Sequence, residues 1–162
     1  MSEIVLQGHE QYPRFNPSRF AKAIQTAVGF WQVKLFLRDW LINPPRSNSD
    51  VDGFRTQHTA AYRTGNLEYE PSDGNGWKYV DDRWCAQGVC HELLHLLLAP
   101  FADVFQLNLK GRWLEETVDA EEGCVDRLAT LIWGLLPKDD QDNLVRVFAE
   151  AREKPHRKKT VE

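Results

Sequence analysis

Hydrophobic and polar positions change period several times along the chain, and each change marks an element. Asn16-Pro17 reads as a helix start, Asn as the N-cap and Pro in the first turn, and Phe20, Ile24, Ala27 and Val28 continue an apolar stripe at helical spacing. The period then shortens. Trp31, Val33, Leu35 and Leu37 alternate with Gln32, Lys34, Phe36 and Arg38, which predicts a strand with one face in the core. Residues 43–56 are polar and Pro-rich, a loop too long for an ordinary turn. Residues 59–63 and 66–70 are short β-prone runs joined at Thr64-Gly65-Asn66, so a hairpin or a bent strand is expected there. Residues 72–76 carry turn chemistry, and Asp81 or Asp82 is placed to cap the next helix.

That helix is apolar nearly all round. Val89, Cys90, Leu93, Leu94, Leu96, Leu97, Leu98 and Ala99 give the pattern of a buried helix, which Pro100 is expected to end. Residues 101–113 then cross back to a second apolar helix that begins around Glu121 and Glu122 and ends near Leu136-Pro137. A last helix starts at Asp139 or Asp140, with Leu144, Val147, Phe148 and Ala151 at i, i+3, i+4 and i+7. The expected fold is α+β. A small mixed or antiparallel sheet packs against the two apolar helices in a single domain of residues 1–152, followed by a charged tail at 153–162.

The buried helix carries His91-Glu92-Leu93-Leu94-His95, an HExxH segment. A helix turns about 100° per residue, so histidines four apart share a face and both imidazoles reach one metal ion. Glu92 then lies beside the open coordination position, where a carboxylate takes a proton from metal-bound water. Two histidines and a glutamate enter an apolar helix only at a cost of several kcal/mol unless they are paired. A zinc hydrolase needs three protein ligands and one open position. The metzincin extension is absent, because Leu98 and Phe101 stand where Gly and His are required, and the only later histidine, His156, falls in the tail. A carboxylate remains, and Glu121 and Glu122 open the second helix. Helical projection puts Glu121 nearer the middle of the apolar face formed by Val125, Leu128 and Ile132.

In these residues the chain resembles the gluzincins, HExxH metallopeptidases whose third ligand is a glutamate on a downstream helix. It resembles the compact ImmA/IrrE-like and phage-encoded metallopeptidases more closely than the thermolysin-like members, across about residues 80–137. The resemblance implies a zincin-like fold and Zn2+ held by His91, His95 and Glu122, with Glu92 as general base. It also implies Asp126 as the carboxylate behind the first histidine, leaving Glu121 as the alternative ligand. Leu94, Val125 and Leu128 depart from the ImmA/IrrE pattern, which expects Gly, Ala and Phe there. In such families an extended substrate lies against an edge strand beside the metal helix, so a protein or peptide substrate is expected. The contrasting expectation is a zinc-stapled structural or partner-binding protein without turnover, for example a phage component.

Composition narrows the classes further. A chain of 162 residues with 42% hydrophobic and 27% charged positions builds one core, and its net charge of −4 gives no general nucleic-acid surface. No stretch reaches the length of a membrane span, and Met1-Ser2-Glu3-Ile4-Val5 has neither the basic start nor the apolar run of a signal peptide. Cys85, Cys90 and Cys124 form no disulfide framework, so a cytoplasmic protein is expected, in host cytoplasm if phage-encoded. Tyr62, Tyr69, Tyr79 and His58 are the candidate oxyanion donors, with no basis in sequence for choosing among them. Trp77, Trp84 and Trp133 lie near the site helices in sequence and are candidates for the cleft wall.

Overall fold

The computed structural model describes residues 15–51, 53–70, 81–108 and 112–152. The expected lead-in, the turn at 72–76, Trp77, Tyr79 and the charged tail lie outside the described residues. Helix α1 runs Pro17–Lys34, capped by Asn16, whose side chain accepts from the Arg19 amide at 3.2 Å. Its buried face is Phe20, Ala23, Ile24, Ala27, Val28 and Trp31, so the helical period continues where alternation predicts a strand. The strand reading of 31–37 is therefore wrong. Trp31 and Leu35 are buried one turn apart while Val33 is exposed. The chain reverses only at Phe36, which takes a left-handed φ of 57°, before Leu37 returns to the core.

Four strands form a small mixed sheet: β1 (Leu41–Ile42), β2 (Arg46–Ser47), β3 (Phe54–Thr59) and β4 (Thr64–Tyr69). All three others pair with β4. β3 runs antiparallel to it in full register from Phe54 opposite Tyr69 to Thr59 opposite Thr64. The two short strands lie parallel to it, β1 against Thr64 and Gly65, β2 against Glu68 and Tyr69. The expected hairpin is present, with its turn at 60–63 and its first strand earlier than the β-prone run. The expected loop at 43–56 is instead largely laid along β4, the Asn43 amide donating to Gly65 and the Asn48 amide to Tyr69 at 2.9 and 2.8 Å. Its Pro, Asn and Ser residues are poor strand formers, but an edge interrupted by Pro44-Pro45 tolerates them.

The chain then enters α2 (Asp82–Asn108), α3 (Arg112–Leu135) and α4 (Lys138–Ala149). Asp81 caps α2, accepting from the Trp84 amide at 2.6 Å. This helix is the centre of the molecule, packing on α1, α3, α4 and β3, which is why it is apolar nearly all round. It does not end at Pro100. The proline sits on the exposed side, where the missing amide bond faces water, while Ala99 and Ala102 carry the buried face onward. Helix α3 begins at Arg112 rather than near Glu121, so both glutamates lie well inside it. Helix α4 buries Leu144 and Phe148, and Ala151 follows them inward.

Trp31 donates from Nε1 to the Ala86 carbonyl at 3.1 Å, joining α1 to α2 through the core. At the far end, Phe15 and Arg152 form an antiparallel bridge, and Arg152 Nε donates to Asp82 Oδ1 at 2.7 Å at the start of α2. Among the described residues no helix is long and apolar enough to cross a membrane.

Candidate metal centre

Helical spacing and the packing of α3 on α2 bring three side chains to one point. His91 and His95 stand one turn apart on α2, their Nε2 atoms 3.3 Å from each other. Glu122 of α3 meets both: its Oε2 is 3.4 Å from His91 Nε2 and its Oε1 is 3.3 Å from His95 Nε2. Behind the rings, His91 Nδ1 lies 3.0 Å from Asp126 Oδ1, and His95 Nδ1 lies 3.0 Å from Glu121 Oε1. The two glutamates of the sequence thus take different places. Glu122 faces the inner nitrogens, and Glu121 sits behind the second histidine rather than in the ligand cluster. Glu121 is the more buried, 17% exposed against 52% for Glu122, as helical projection anticipates.

A carboxylate only accepts, so a neutral imidazole whose hydrogen sits on Nδ1, the nitrogen nearer a carboxylate in both rings, presents an Nε2 lone pair inward, the form that binds a metal. Three acceptors then face one another, an arrangement that a cation or a shared proton stabilises. Zinc bonds of about 2.0–2.1 Å at tetrahedral angles set neighbouring donor atoms about 3.3–3.4 Å apart. The two Nε2 atoms match that spacing, each Glu122 oxygen approaches a different imidazole, and one ligand atom from each of the three residues lies within 4.8 Å of the others, so two imidazoles and a carboxylate form a donor set of the kind zinc takes. Because Glu121 and Glu122 lie inside α3, the favourable field of a helix N-terminus does not account for them.

Glu92 is buried beside this cluster. Burial pushes its carboxyl above the ordinary glutamate range, His91, His95 and a Thr56 hydrogen bond pull it back, and Glu122 pushes it further up. The same Thr56 hydroxyl lies 3.1 Å from the Glu92 main-chain carbonyl, so its one hydrogen serves either acceptor and both hold β3 onto α2 at the site. A cleft of about 330 Å³ opens here. Helix α2 lines it with Trp84, Gln87, Gly88, His91 and Glu92, α3 with Asp126, Ala129 and Thr130, and β3 with Phe54.

None of the described oxyanion candidates lines the cleft. Tyr69 is buried against Phe20, Tyr62 is exposed on the hairpin turn, and His58 packs on Trp40. Trp133 is core, 6.3 Å from Trp31, whereas Trp84 does line the wall. Thr56, Gln87 and Thr130 were missed, because isolated polar residues carry no motif and only the packing of β3 and α3 on α2 identifies them. Cys85 and Cys90 are buried, and burial raises both thiols, Cys90 to about 12. Compared with known proteins, the chain matches no family model, no curated protein and no solved structure.

Proposed function

We propose that the protein is a zinc-dependent peptidase, with His91, His95 and Glu122 holding the metal and Glu92 as general base. The carrying observation is that the two imidazoles and the Glu122 carboxylate converge, a ligand atom from each within 4.8 Å of the others, with the buried Glu92 lining the adjoining cleft. Zinc bound there supplies a Lewis acid that polarises the scissile carbonyl and lowers the pKa of water toward neutrality. Glu92 accepts the proton of the attacking water and returns it to the leaving nitrogen, a transfer suited to a carboxyl already raised by burial. Asp126 and Glu121 hold the imidazoles in the tautomer that binds. Thr56 fixes the main chain at Glu92, keeping the base in place. A mixed sheet leaning its hairpin on the ligand helix, with a second ligand helix opposite, supports a zincin-like reading of the fold. The substrate is then a protein or peptide, and the expected compartment is the cytoplasm.

Metal content of the untagged chain, measured by mass spectrometry beside His95→Ala and Glu122→Gln, tests the site. The expected result is about one zinc in wild type, lost in the first variant and weakened in the second. Glu92→Gln is expected to keep its zinc and lose about 10²–10⁴-fold in peptide turnover. A folded wild type that takes up no added zinc overturns the reading. Zinc binding without turnover across a broad peptide set points instead to a metal-stapled binding protein.

A further inference from the structure

We infer that Gln87 and Thr130 grip the main chain of the substrate about two residues from the bond that is cut. This deepens the peptidase reading and rests on it. On α2, Gln87, His91 and His95 stand one turn apart on one face, and on α3 Glu122, Asp126 and Thr130 do the same. Contacts between the two rows run antiparallel. Glu122 meets both histidines, and Asp126, one turn on, meets His91 at 3.0 Å. The next turn of each row is Gln87 and Thr130, and both line the cleft that opens at His91. Each inner member of the rows has a partner. Among the described residues neither the Gln87 nor the Thr130 side chain forms a hydrogen bond.

The same residue types elsewhere in the fold are satisfied by main chain. Gln32 and Gln141 are also half-buried, and each Nε2 donates to two carbonyls, those of Leu37 and Trp40 and those of Trp133 and Leu136. Thr26, exposed on α1, turns its hydroxyl back onto the Lys22 carbonyl at 2.9 Å, a bond that Thr130 does not make on α3. A glutamine amide sets a donor and an acceptor side by side, the complement of a peptide group, and the threonine hydroxyl gives or takes a bond from the other wall. The pair is neutral, so it selects neither an acidic nor a basic side chain, and a grip on main chain leaves the sequence unread. Gln87 lies about 6 Å along α2 from His91, and an extended peptide advances about 3.3 Å per residue, which sets the gripped group about two residues from the scissile bond. The cleft, about 330 Å³, is near the small end of ligand pockets and holds a short stretch of main chain.

Glycine hydroxamates test this, because they join a metal-binding group to main chain that carries no side chains. Dissociation constants for the zinc-loaded full chain are measured with acetohydroxamate and with two series of increasing glycine number. N-acetyl-oligoglycine hydroxamates extend on one side of the metal, and hydroxamoylacetyl-oligoglycine amides on the other. In one series the second glycine is expected to tighten binding about 3- to 10-fold over the first, and N-methylation of its amide to remove that step. Gln87→Ala and, separately, Thr130→Val are expected to shrink the step while zinc content stays at the wild-type level. No step at the second glycine in either series, a step that survives N-methylation, or a step that either variant leaves unchanged overturns the grip and leaves the metal site standing. A chain that takes up no zinc, or whose zinc binds no acetohydroxamate, overturns the peptidase reading and this inference together.

Discussion

Glu121→Gln and Asp126→Asn make the same chemical change behind His95 and His91, and burial separates their consequences. Each carboxylate lies 3.0 Å from a histidine Nδ1, so each substitution removes one charge-assisted hydrogen bond. Glu121 is 17% exposed and Asp126 74%, so water screens the second charge far more than the first. A hydrogen bond to a charged group contributes about 1.5–3 kcal/mol, and losing the partner of a metal-bound histidine lowers metal affinity about 10–100-fold. Glu121→Gln is expected at the upper end, with zinc affinity down about 30–100-fold, or about 2–2.7 kcal/mol. Asp126→Asn should cost less than about tenfold, under about 1.4 kcal/mol. Competition against a chromophoric chelator at fixed pH measures both constants, and circular dichroism confirms that both variants fold. Equal losses, or a larger loss in Asp126→Asn, would refute burial as the deciding term. No loss in either would remove both carboxylates from the site.

Three further expectations concern stability. Zinc at about 1,000 times its dissociation constant stabilises the native state by about 4 kcal/mol, so chelation should lower the melting temperature by about 8–16 °C in calorimetry; an unchanged transition would show that the cation does not favour the native fold. Arg152→Ala leaves the Asp82 carboxyl, already raised by burial, without its guanidinium and removes the cation lying 4.1 Å over the Phe15 ring. Urea unfolding should show a loss of about 3 kcal/mol, and a loss under about 1 kcal/mol would mean that water replaces the pair. Arg55 and Asn48 hold the Glu68 carboxyl below its ordinary 4.5. A lowered carboxylate stabilises the fold above its unfolded pKa and loses that contribution as pH falls through the folded one. The stability gap between wild type and Glu68→Gln should therefore be constant near neutrality and close below about pH 4.5, and a gap that persists in acid would contradict the ion pair.

Elements whose pattern has one reading were legible in the sequence: the Asn16 cap, the buried α2, and α4 with Leu144 and Phe148. The misreadings share a physical cause, because a local pattern was decided by a distant contact. Alternation at 31–37 imitates a strand, yet Trp31 belongs to the helical face because its indole reaches Ala86 of α2. Pro100 is a breaker in isolation and is tolerated where its side of the helix meets water. Residues 43–48 have loop composition and become sheet edge only because β4 offers unpaired main chain to them. At the site, the HExxH spacing is enough to align His91 and His95. Choosing between adjacent glutamates required the rotation of α3 against α2, which periodicity does not fix.

The bridge between Phe15 and Arg152 brings the two ends of the described fold to one place, where the Asn16 amide also donates to Ala151 at 2.9 Å. Topologically the domain is close to a closed ring. Joining such ends across a short linker costs little loop entropy, and the chain can then be opened at the exposed hairpin turn around Tyr62. In such a circular permutant α2 and α3 remain consecutive, so the chain between His91 and Glu122 is the same length as before and the candidate centre depends on none of the rearranged connections.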